Sequence, residues 1–262
     1  MNRNHLSLWL LLLVAFCAVV CVSFFGPVNI LGYELKDSGI AAALSRSEEV
    51  DMVVDSLIVP TDTVPAEPEP VPVDTASKHI LFFGDSMLDG LYPRLAAYAD
   101  KNGHELYVVI WYSSTSEVWG RSERLREYID RYNPDYIFIS LGANELFVKD
   151  IAEKRDKYVK KILADIGDIP YLWIGPPNWK PDTGINDLIE ANVPKGNFFL
   201  SDGMEFRRKK DGAHPTVESA AEWMDSIARW MPLNSSHPIL METPDVARSR
   251  AKKVFVHQPN EN

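Results

Sequence analysis

Between about residues 77 and 232 the chain alternates short, continuous apolar runs with longer amphipathic stretches. The apolar runs predict five strands, at residues 79–83, 106–111, 136–141, 171–174 and 197–200. The amphipathic stretches predict five helices, at residues 88–100, 122–132, 151–166, 184–191 and 216–230. Apolar strands that are separated by helices indicate a parallel sheet covered on both faces. The pattern therefore predicts a three-layer α/β/α sandwich around a five-stranded parallel sheet.

The N-terminal residues have a different pattern, a nearly unbroken apolar run without charge at residues 6–25. As a helix, about 20 residues span the hydrocarbon core of a bilayer. Arg3 precedes the run, which places the N-terminus in the cytoplasm and the rest of the chain across the membrane. Residues 1–26 are therefore predicted to form a transmembrane signal anchor, with a cleaved signal peptide as the alternative. Either segment exports the domain, to the periplasm or the cell surface.

The segments that flank the predicted domain lack regular periodicity. Residues 27–76 are interpreted as a membrane-proximal segment that ends in a proline-rich linker, because dense prolines favour an extended spacer over a helix or a paired strand. Residues 233–262 are interpreted as a flexible tail with a small basic cluster. This leaves residues 77–232 as the folded domain.

Charge and cysteine content exclude several classes of function. The formal net charge of −10 argues against nucleic acid as a partner, because a nucleic-acid surface needs cations for the phosphates. Both cysteines, Cys17 and Cys21, lie in the N-terminal apolar run, so the exported part has no disulfide, thiolate nucleophile or cysteine metal ligand. No cluster of metal ligands stands out in the sequence, and we expect neither a metal nor a cofactor.

Three short motifs lie where the predicted strands and loops meet. They are Gly84-Asp85-Ser86 after the first strand, Gly142-Ala143-Asn144-Glu145 after the third, and Asp211-Gly212-Ala213-His214-Pro215 before the last helix. Alone, each has a plain structural explanation, since Ser86 can cap a helix and Asn144 can shape a turn. Together they place chemically distinctive residues at the carboxyl edge of one sheet, where α/β proteins bind ligands.

The combination suits acyl transfer through a serine. A hydroxyl such as that of Ser86 is a weak nucleophile until a base takes its proton, and His214 can do this if Asp211 orients the imidazole. Attack on an ester creates an oxyanion, for which the Ser86 amide and the Asn144 side chain are natural donors. We therefore interpret Ser86, His214 and Asp211 as a catalytic triad.

These motifs resemble the blocks of the SGNH hydrolases, also called the GDSL esterase/lipase superfamily. The resemblance covers most of residues 79–231 and implies a flavodoxin-like sandwich, with the same triad and with Asn144 as an oxyanion donor. One block departs from the family, which usually has a glycine after its second strand. By spacing, Ser116 is nearest the expected position, while Gly120 is the only glycine available. Ser116 is thus the predicted second donor, with Gly120 as the alternative.

Substrate class is less strongly indicated than chemistry. The loop at residues 175–181 is expected to overhang the site, and its Trp179 could stack on a sugar ring or simply pack its own loop. Together with an extracytoplasmic location, this favours an esterase that removes O-acyl groups, most simply acetyl, from wall or surface carbohydrate. One alternative is an O-acyltransferase that passes acetyl to an exported polysaccharide beside a membrane-bound acyltransferase partner. The other is a non-catalytic glycan-binding or scaffold protein.

Overall fold

A computed structural model describes residues 28–30, 33–35 and 71–259. The chain divides into two compact units, at residues 1–66 and 67–262. In the first unit the described residues form an antiparallel pair of short strands, β1 (Val28–Ile30) and β2 (Tyr33–Leu35), with Val28 opposite Leu35. The predicted anchor at residues 1–26 lies outside the described residues, as does most of the proline-rich linker. No helix in the described part of the chain is both long and apolar enough to cross a membrane.

The second unit contains a six-stranded sheet in which every neighbouring pair of strands is parallel. Its strands are β3 (His79–Gly84), β4 (Glu105–Trp111), β5 (Tyr136–Ser140), β6 (Tyr171–Ile174), β7 (Phe198–Phe199) and β8 (Lys253–His257). They lie side by side in the order β7-β6-β5-β3-β4-β8. Because all the strands run in the same direction, their carboxyl ends share one edge of the sheet.

Six helices accompany the sheet: α1 (Leu88–Asn102), α2 (Ser116–Arg121), α3 (Arg124–Tyr132), α4 (Ile151–Ile166), α5 (Ile185–Asn192) and α6 (Val217–Asn234). Alternate strand residues point into two apolar cores, as Phe82 and Phe83 of β3 do. Helices α1 and α6 cover one core, and α2 to α5 cover the other. This confirms the predicted three layers and explains why the strands read as continuous apolar runs.

The number of strands was predicted incorrectly, because the sequence pattern predicts five and the sheet has six. The additional strand, β8, lies in the stretch interpreted as a tail, where it pairs with β4 at the edge of the sheet. An edge strand buries only part of its surface, and Val254 and Val256 remain 39% and 46% exposed while Phe255 packs on the core. Such a strand lacks the apolar run that marks a central one, and its pairing depends on a distant segment.

Boundaries also differ in two other places. The helix predicted at residues 122–132 is preceded by a separate short helix, α2, so the stretch after β4 is more regular than its composition indicates. The folded unit also begins before residue 77, since the amide of Asp74 donates to the carbonyl of Pro238 at 2.8 Å and the amide of Leu240 donates back to Asp74 at 2.9 Å.

The junction between β3 and the site depends on a glycine. A Cβ atom at Gly84 would lie 1.8 Å from the carbonyl oxygen of Ser140 on β5. That same oxygen accepts a hydrogen bond from the amide of Asp85 at 3.0 Å. Only a residue without a side chain lets the two strand ends approach this closely.

We predict that Gly84→Ala destabilises the fold by more than about 4 kcal/mol, because the new methyl group meets backbone that cannot move aside. Gly103→Ala is the matched control, since Gly103 also has a positive φ of 72° but has nothing within 4 Å of its Cβ position. The control should lose about 1–2 kcal/mol, the ordinary cost of a left-handed backbone. Chemical denaturation of the two full-length variants measures the difference, and equal losses would contradict the close-approach argument.

Candidate active site

The structure brings the side chains of Ser86, His214 and Asp211 into one continuous hydrogen-bonded row. Ser86 Oγ lies 2.8 Å from His214 Nε2, and His214 Nδ1 lies 2.9 Å from Asp211 Oδ2. Ser86 is the second residue after β3, while Asp211 and His214 belong to the turn that precedes α6. Residues 128 positions apart in the chain therefore meet at the carboxyl edge of the sheet.

The carboxylate of Asp211 is organised by its own turn. Its Oδ1 accepts the backbone N–H groups of Ala213 and His214, both at 2.9 Å. These hydrogen bonds, with the one from the His214 side chain, lower the pKa of Asp211 to about 2. An ionised carboxylate can only accept hydrogen bonds. His214 Nδ1 therefore carries a hydrogen and donates a hydrogen bond to Asp211 Oδ2. His214 Nε2 is then free to accept the hydroxyl proton of Ser86, as a general base must.

A second carboxylate, that of Asp85, joins the serine turn to the asparagine turn. It is completely buried, with one oxygen accepting the amide of Met87 at 2.9 Å and the other accepting the amide of Ala143 at 3.2 Å. Burial raises the pKa of Asp85 to about 7, although the two amides act in the opposite direction. Ala143 precedes Asn144 as Asp85 precedes Ser86, so this carboxylate holds the two turns side by side.

Asn144 is positioned by the loop that follows β4. Its side-chain Nδ2 donates one hydrogen bond to the carbonyl of Ser114 at 3.0 Å. A side-chain amide carries two N–H donors, and no acceptor among the described residues takes the other one. The backbone N–H of Ser86 likewise has no hydrogen-bond acceptor among the described residues. The assignment of these two groups as oxyanion donors stays a prediction.

Ser116, the predicted second donor, is arranged differently. It is the first residue of α2 and is completely buried, and its amide and hydroxyl donate to the carboxylate of Glu145 at 2.9 and 2.7 Å. Arg155 also donates to Glu145, at 2.8 Å, and burial raises the pKa of the Glu145 carboxyl. The Ser116 amide is therefore occupied by Glu145 and is not offered to the site. Spacing along the sequence could not reveal this competing acceptor.

The alternative donor, Gly120, serves in helix packing. It lies within α2, where a Cβ atom would approach Tyr158 of α4 to 2.8 Å. Its lack of a side chain thus lets the two helices pack closely.

Ser113, which the sequence analysis did not single out, has an unusual backbone conformation. It is exposed, has a φ of +58°, and immediately precedes the residue whose carbonyl holds Asn144. Among the hydrogen bonds of the described chain none uses its backbone N–H. A positive φ is uncommon for serine and marks strain of the kind found at functional sites. The signal available in the sequence was the usual glycine of the family block, which tolerates this backbone conformation.

Trp179 lies against the asparagine turn, as its place in the loop after β6 predicted. Its indole Nε1 donates to the carbonyl of Ala143 at 2.9 Å, so the ring is tied to the residue next to Asn144. Phe147 meets the ring edge-on, with centroids 6.4 Å apart, and is itself 54% exposed. The ammonium of Lys180 lies 4.6 Å from the centroid of Trp179 and 5.5 Å from that of Phe147. An aromatic surface with a cation therefore borders the site.

Within the described residues, no group of three or more histidine, cysteine, aspartate and glutamate side chains is placed to hold a metal ion. The chemistry that the geometry supports directly is proton transfer from Ser86 to His214 and nucleophilic attack by Ser86.

The chain is similar to known proteins in structure, but it matches no family model or curated protein in sequence. A psychrotrophic esterase, EstA, from Pseudoalteromonas sp., solved in a form inhibited by monoethylphosphonate, is 20% identical with a TM-score of 0.43 over 58% of this chain and 97% of its own. A lipase/acylhydrolase from Enterococcus faecalis is 17% identical with a TM-score of 0.47, over 59% of this chain and 95% of its own.

A third similar structure is the salicylyl-acyltransferase SsfX3 from a tetracycline biosynthetic pathway. It is 17% identical with a TM-score of 0.42, over 60% of this chain and 55% of its own.

The site predicts a simple pH profile. Asp211, with its pKa lowered from 3.8 to about 2, stays ionised from about pH 4 upwards. Any loss of kcat/KM between neutrality and about pH 4 must then come from groups other than Asp211. A proton on His214 Nε2 ends its ability to accept the Ser86 proton, and a proton on Asp85, whose pKa is raised to about 7, removes an acceptor of the Met87 and Ala143 amides. We expect ester hydrolysis to fall as the pH drops below neutrality. A rate that stays flat down to about pH 4 would remove His214 as the base.

Proposed function

We propose that this protein is a serine esterase of the SGNH hydrolase type that acts on O-acylated carbohydrate outside the cytoplasm. The observation that carries the proposal is the row Ser86–His214–Asp211, with hydrogen bonds of 2.8 and 2.9 Å. The order of nucleophile, base and orienting acid is the one that acyl transfer through a serine requires. Asn144 adds a polarising donor beside the nucleophile.

In the first half of the proposed reaction, Ser86 Oγ attacks the ester carbonyl carbon while His214 Nε2 takes the hydroxyl proton. The carbonyl oxygen becomes an oxyanion that accepts hydrogen bonds from Asn144 Nδ2 and the Ser86 amide. We assign the second backbone donor to Ser113 in place of Ser116, because no acceptor among the described residues takes the Ser113 N–H. As the tetrahedral adduct collapses, the carbon–oxygen bond to the sugar breaks and His214 gives its proton to the leaving oxygen.

In the second half, the O–H of an acceptor gives its proton to His214 and its oxygen attacks the acyl carbonyl carbon. The adduct collapses with cleavage of the bond between that carbon and Ser86 Oγ, and His214 returns the proton to Ser86 Oγ. Water as the acceptor gives hydrolysis, whereas a second sugar hydroxyl gives acyl transfer. The exposure of the acid–base pair favours water, since 30% of the His214 side chain and 49% of the Asp211 side chain are accessible. Transfer to an exported polysaccharide, with a membrane-bound acyltransferase as partner, would use the same acyl-enzyme.

The proposed substrate class rests on the aromatic surface beside the site and on the N-terminal sequence. Trp179 and Phe147 present apolar ring area next to the asparagine turn, and such area suits the flat face of a sugar. The predicted anchor at residues 1–26 would hold the domain at the outer face of a membrane, in the periplasm or at the cell surface. O-acetyl groups on wall or surface polysaccharide are esters within its reach there.

Covalent labelling tests the nucleophile. We expect a serine-directed fluorophosphonate to label the full-length chain, because His214 activates the Ser86 hydroxyl, and we expect Ser86→Ala to lose both labelling and release of acetate from an O-acetylated oligosaccharide. Ser226→Ala, on α6 and outside the triad, is the control and should be labelled like the parent. Absence of labelling in the parent would favour the scaffold interpretation, and acetyl found on added sugar rather than as free acetate would favour the transferase.

Removing the side-chain donor tests the oxyanion site. Asn144→Ala should lower kcat by about 10²–10³-fold, the usual effect of deleting one such donor. Ser116→Ala is the matched control, because it removes a buried hydrogen bond to Glu145 nearby without removing a donor from the site. Steady-state kinetics on p-nitrophenyl acetate should show a large loss in the first variant and less than about threefold in the second, which corresponds to under about 1 kcal/mol. Similar losses in both would contradict the assignment of Asn144.

A further inference from the structure

Arg208, outside the triad, connects the two loops that border the site. Its guanidinium donates to the carbonyl of Ala213, one residue before His214, and also to the carbonyls of Pro177 and Asn178, at 3.2 and 2.7 Å. Those last two residues belong to the loop after β6 that carries Trp179. One half-buried side chain therefore bridges the acid–base turn and the loop of the aromatic surface.

The partners of Arg208 are unusual for an arginine. In the described part of the chain it forms no ion pair with a carboxylate, and its hydrogen bonds go to three backbone carbonyls. A planar guanidinium offers five N–H donors in a fixed fork, so it can hold two loops at a set separation, which a single ammonium group cannot do.

The two loops differ in how far they depend on Arg208. The acid–base turn is held by its own bonds, from the amides of Ala213 and His214 to Asp211 and from the amide of Lys209 to the carbonyl of His214 at 2.8 Å. The loop after β6 contains Pro176, Pro177 and Pro181, which have no N–H to donate. Among the described backbone–backbone hydrogen bonds, none involves residues 176–182.

Side chains therefore hold that loop in place. Besides Arg208, Asn178 donates to Asp202 at 3.1 Å and Trp179 donates to the carbonyl of Ala143 at 2.9 Å. Of the side-chain hydrogen bonds of this loop in the described part of the chain, those of Arg208 connect it to the turn that bears His214.

We infer that Arg208 is a positioning residue that sets the width of the subsite for the alcohol part of the ester, between His214 and Trp179. This inference rests on the proposed function, since the subsite is where the sugar would lie. Loss of Arg208 frees the proline-rich loop while the Asp211–His214 turn keeps its internal bonds. The loss of Arg208 should then lower kcat/KM for esters of large alcohols more than it lowers kcat/KM for esters of small alcohols.

The test compares kcat/KM for an O-acetylated oligosaccharide with kcat/KM for p-nitrophenyl acetate in the full-length chain. In Arg208→Gln the ratio of the two should fall by about tenfold, mainly through a higher KM for the sugar ester, because an unrestrained loop must be ordered on binding. The ratio should fall similarly in Arg208→Lys, since lysine keeps the positive charge but lacks the forked N–H donors of the guanidinium. Arg207→Gln is the matched control, because Arg207 makes an exposed ion pair with Glu222 and should leave the ratio unchanged.

Other outcomes overturn the inference in distinguishable ways. An equal loss on both esters would place the role of Arg208 in His214 or in folding, and an unchanged ratio would remove it from the subsite. Full rescue by Arg208→Lys would mean that charge alone matters. A parent chain that hydrolyses neither ester would overturn the proposed function itself, and the subsite with it. Limited proteolysis adds a readout independent of activity, because chymotryptic cleavage after Trp179 should quicken in Arg208→Gln and not in Arg207→Gln.

Discussion

The site depends on one buried carboxylate that has no part in the proton transfers. Asp85 accepts the amide of Met87 with one oxygen and the amide of Ala143 with the other, so it sets the serine turn against the asparagine turn. Burial raises the pKa of Asp85 to about 7, which means that holding a carboxylate here to join two loops is energetically unfavourable. An apolar side chain could not replace it, because the two amides, in turns that follow different strands, would lose their hydrogen-bond acceptors.

The second half of the site is built on a different principle. The turn that carries Asp211 and His214 organises itself through short-range bonds, and its long-range contacts are the pairing of His214 with Ser86 and the bridge through Arg208. The nucleophile is therefore held rigidly by the sheet, whereas the base is delivered by a local turn. Because Arg208 reaches the loop of Trp179, the position of the base and the width of the neighbouring subsite are physically connected.

Competition for donors decides which groups face the ligand. Glu145 is completely buried and takes both polar hydrogens of Ser116 together with an N–H of Arg155, since a buried carboxylate without partners would be very unfavourable. Because the Ser116 amide donates to Glu145, it is not available to a ligand at the carboxyl edge of the sheet. The amide of Ser113, by contrast, has no acceptor in the described part of the chain, which is the condition that our proposed oxyanion donor must meet.

The sequence by itself determined the layered fold, the strands β3 to β7 and the residues proposed as the triad, because continuous apolar runs and short motifs at strand ends are local features. Only the tertiary structure decided the sixth strand at residues 253–257, since an edge strand with exposed Val254 and Val256 takes its register from β4. The tertiary structure also decided that the Ser116 amide donates to Glu145 and that Arg208 bridges two loops. In each of these cases the deciding hydrogen bond joins groups that are far apart in the chain, so neither spacing nor periodicity can encode the partner.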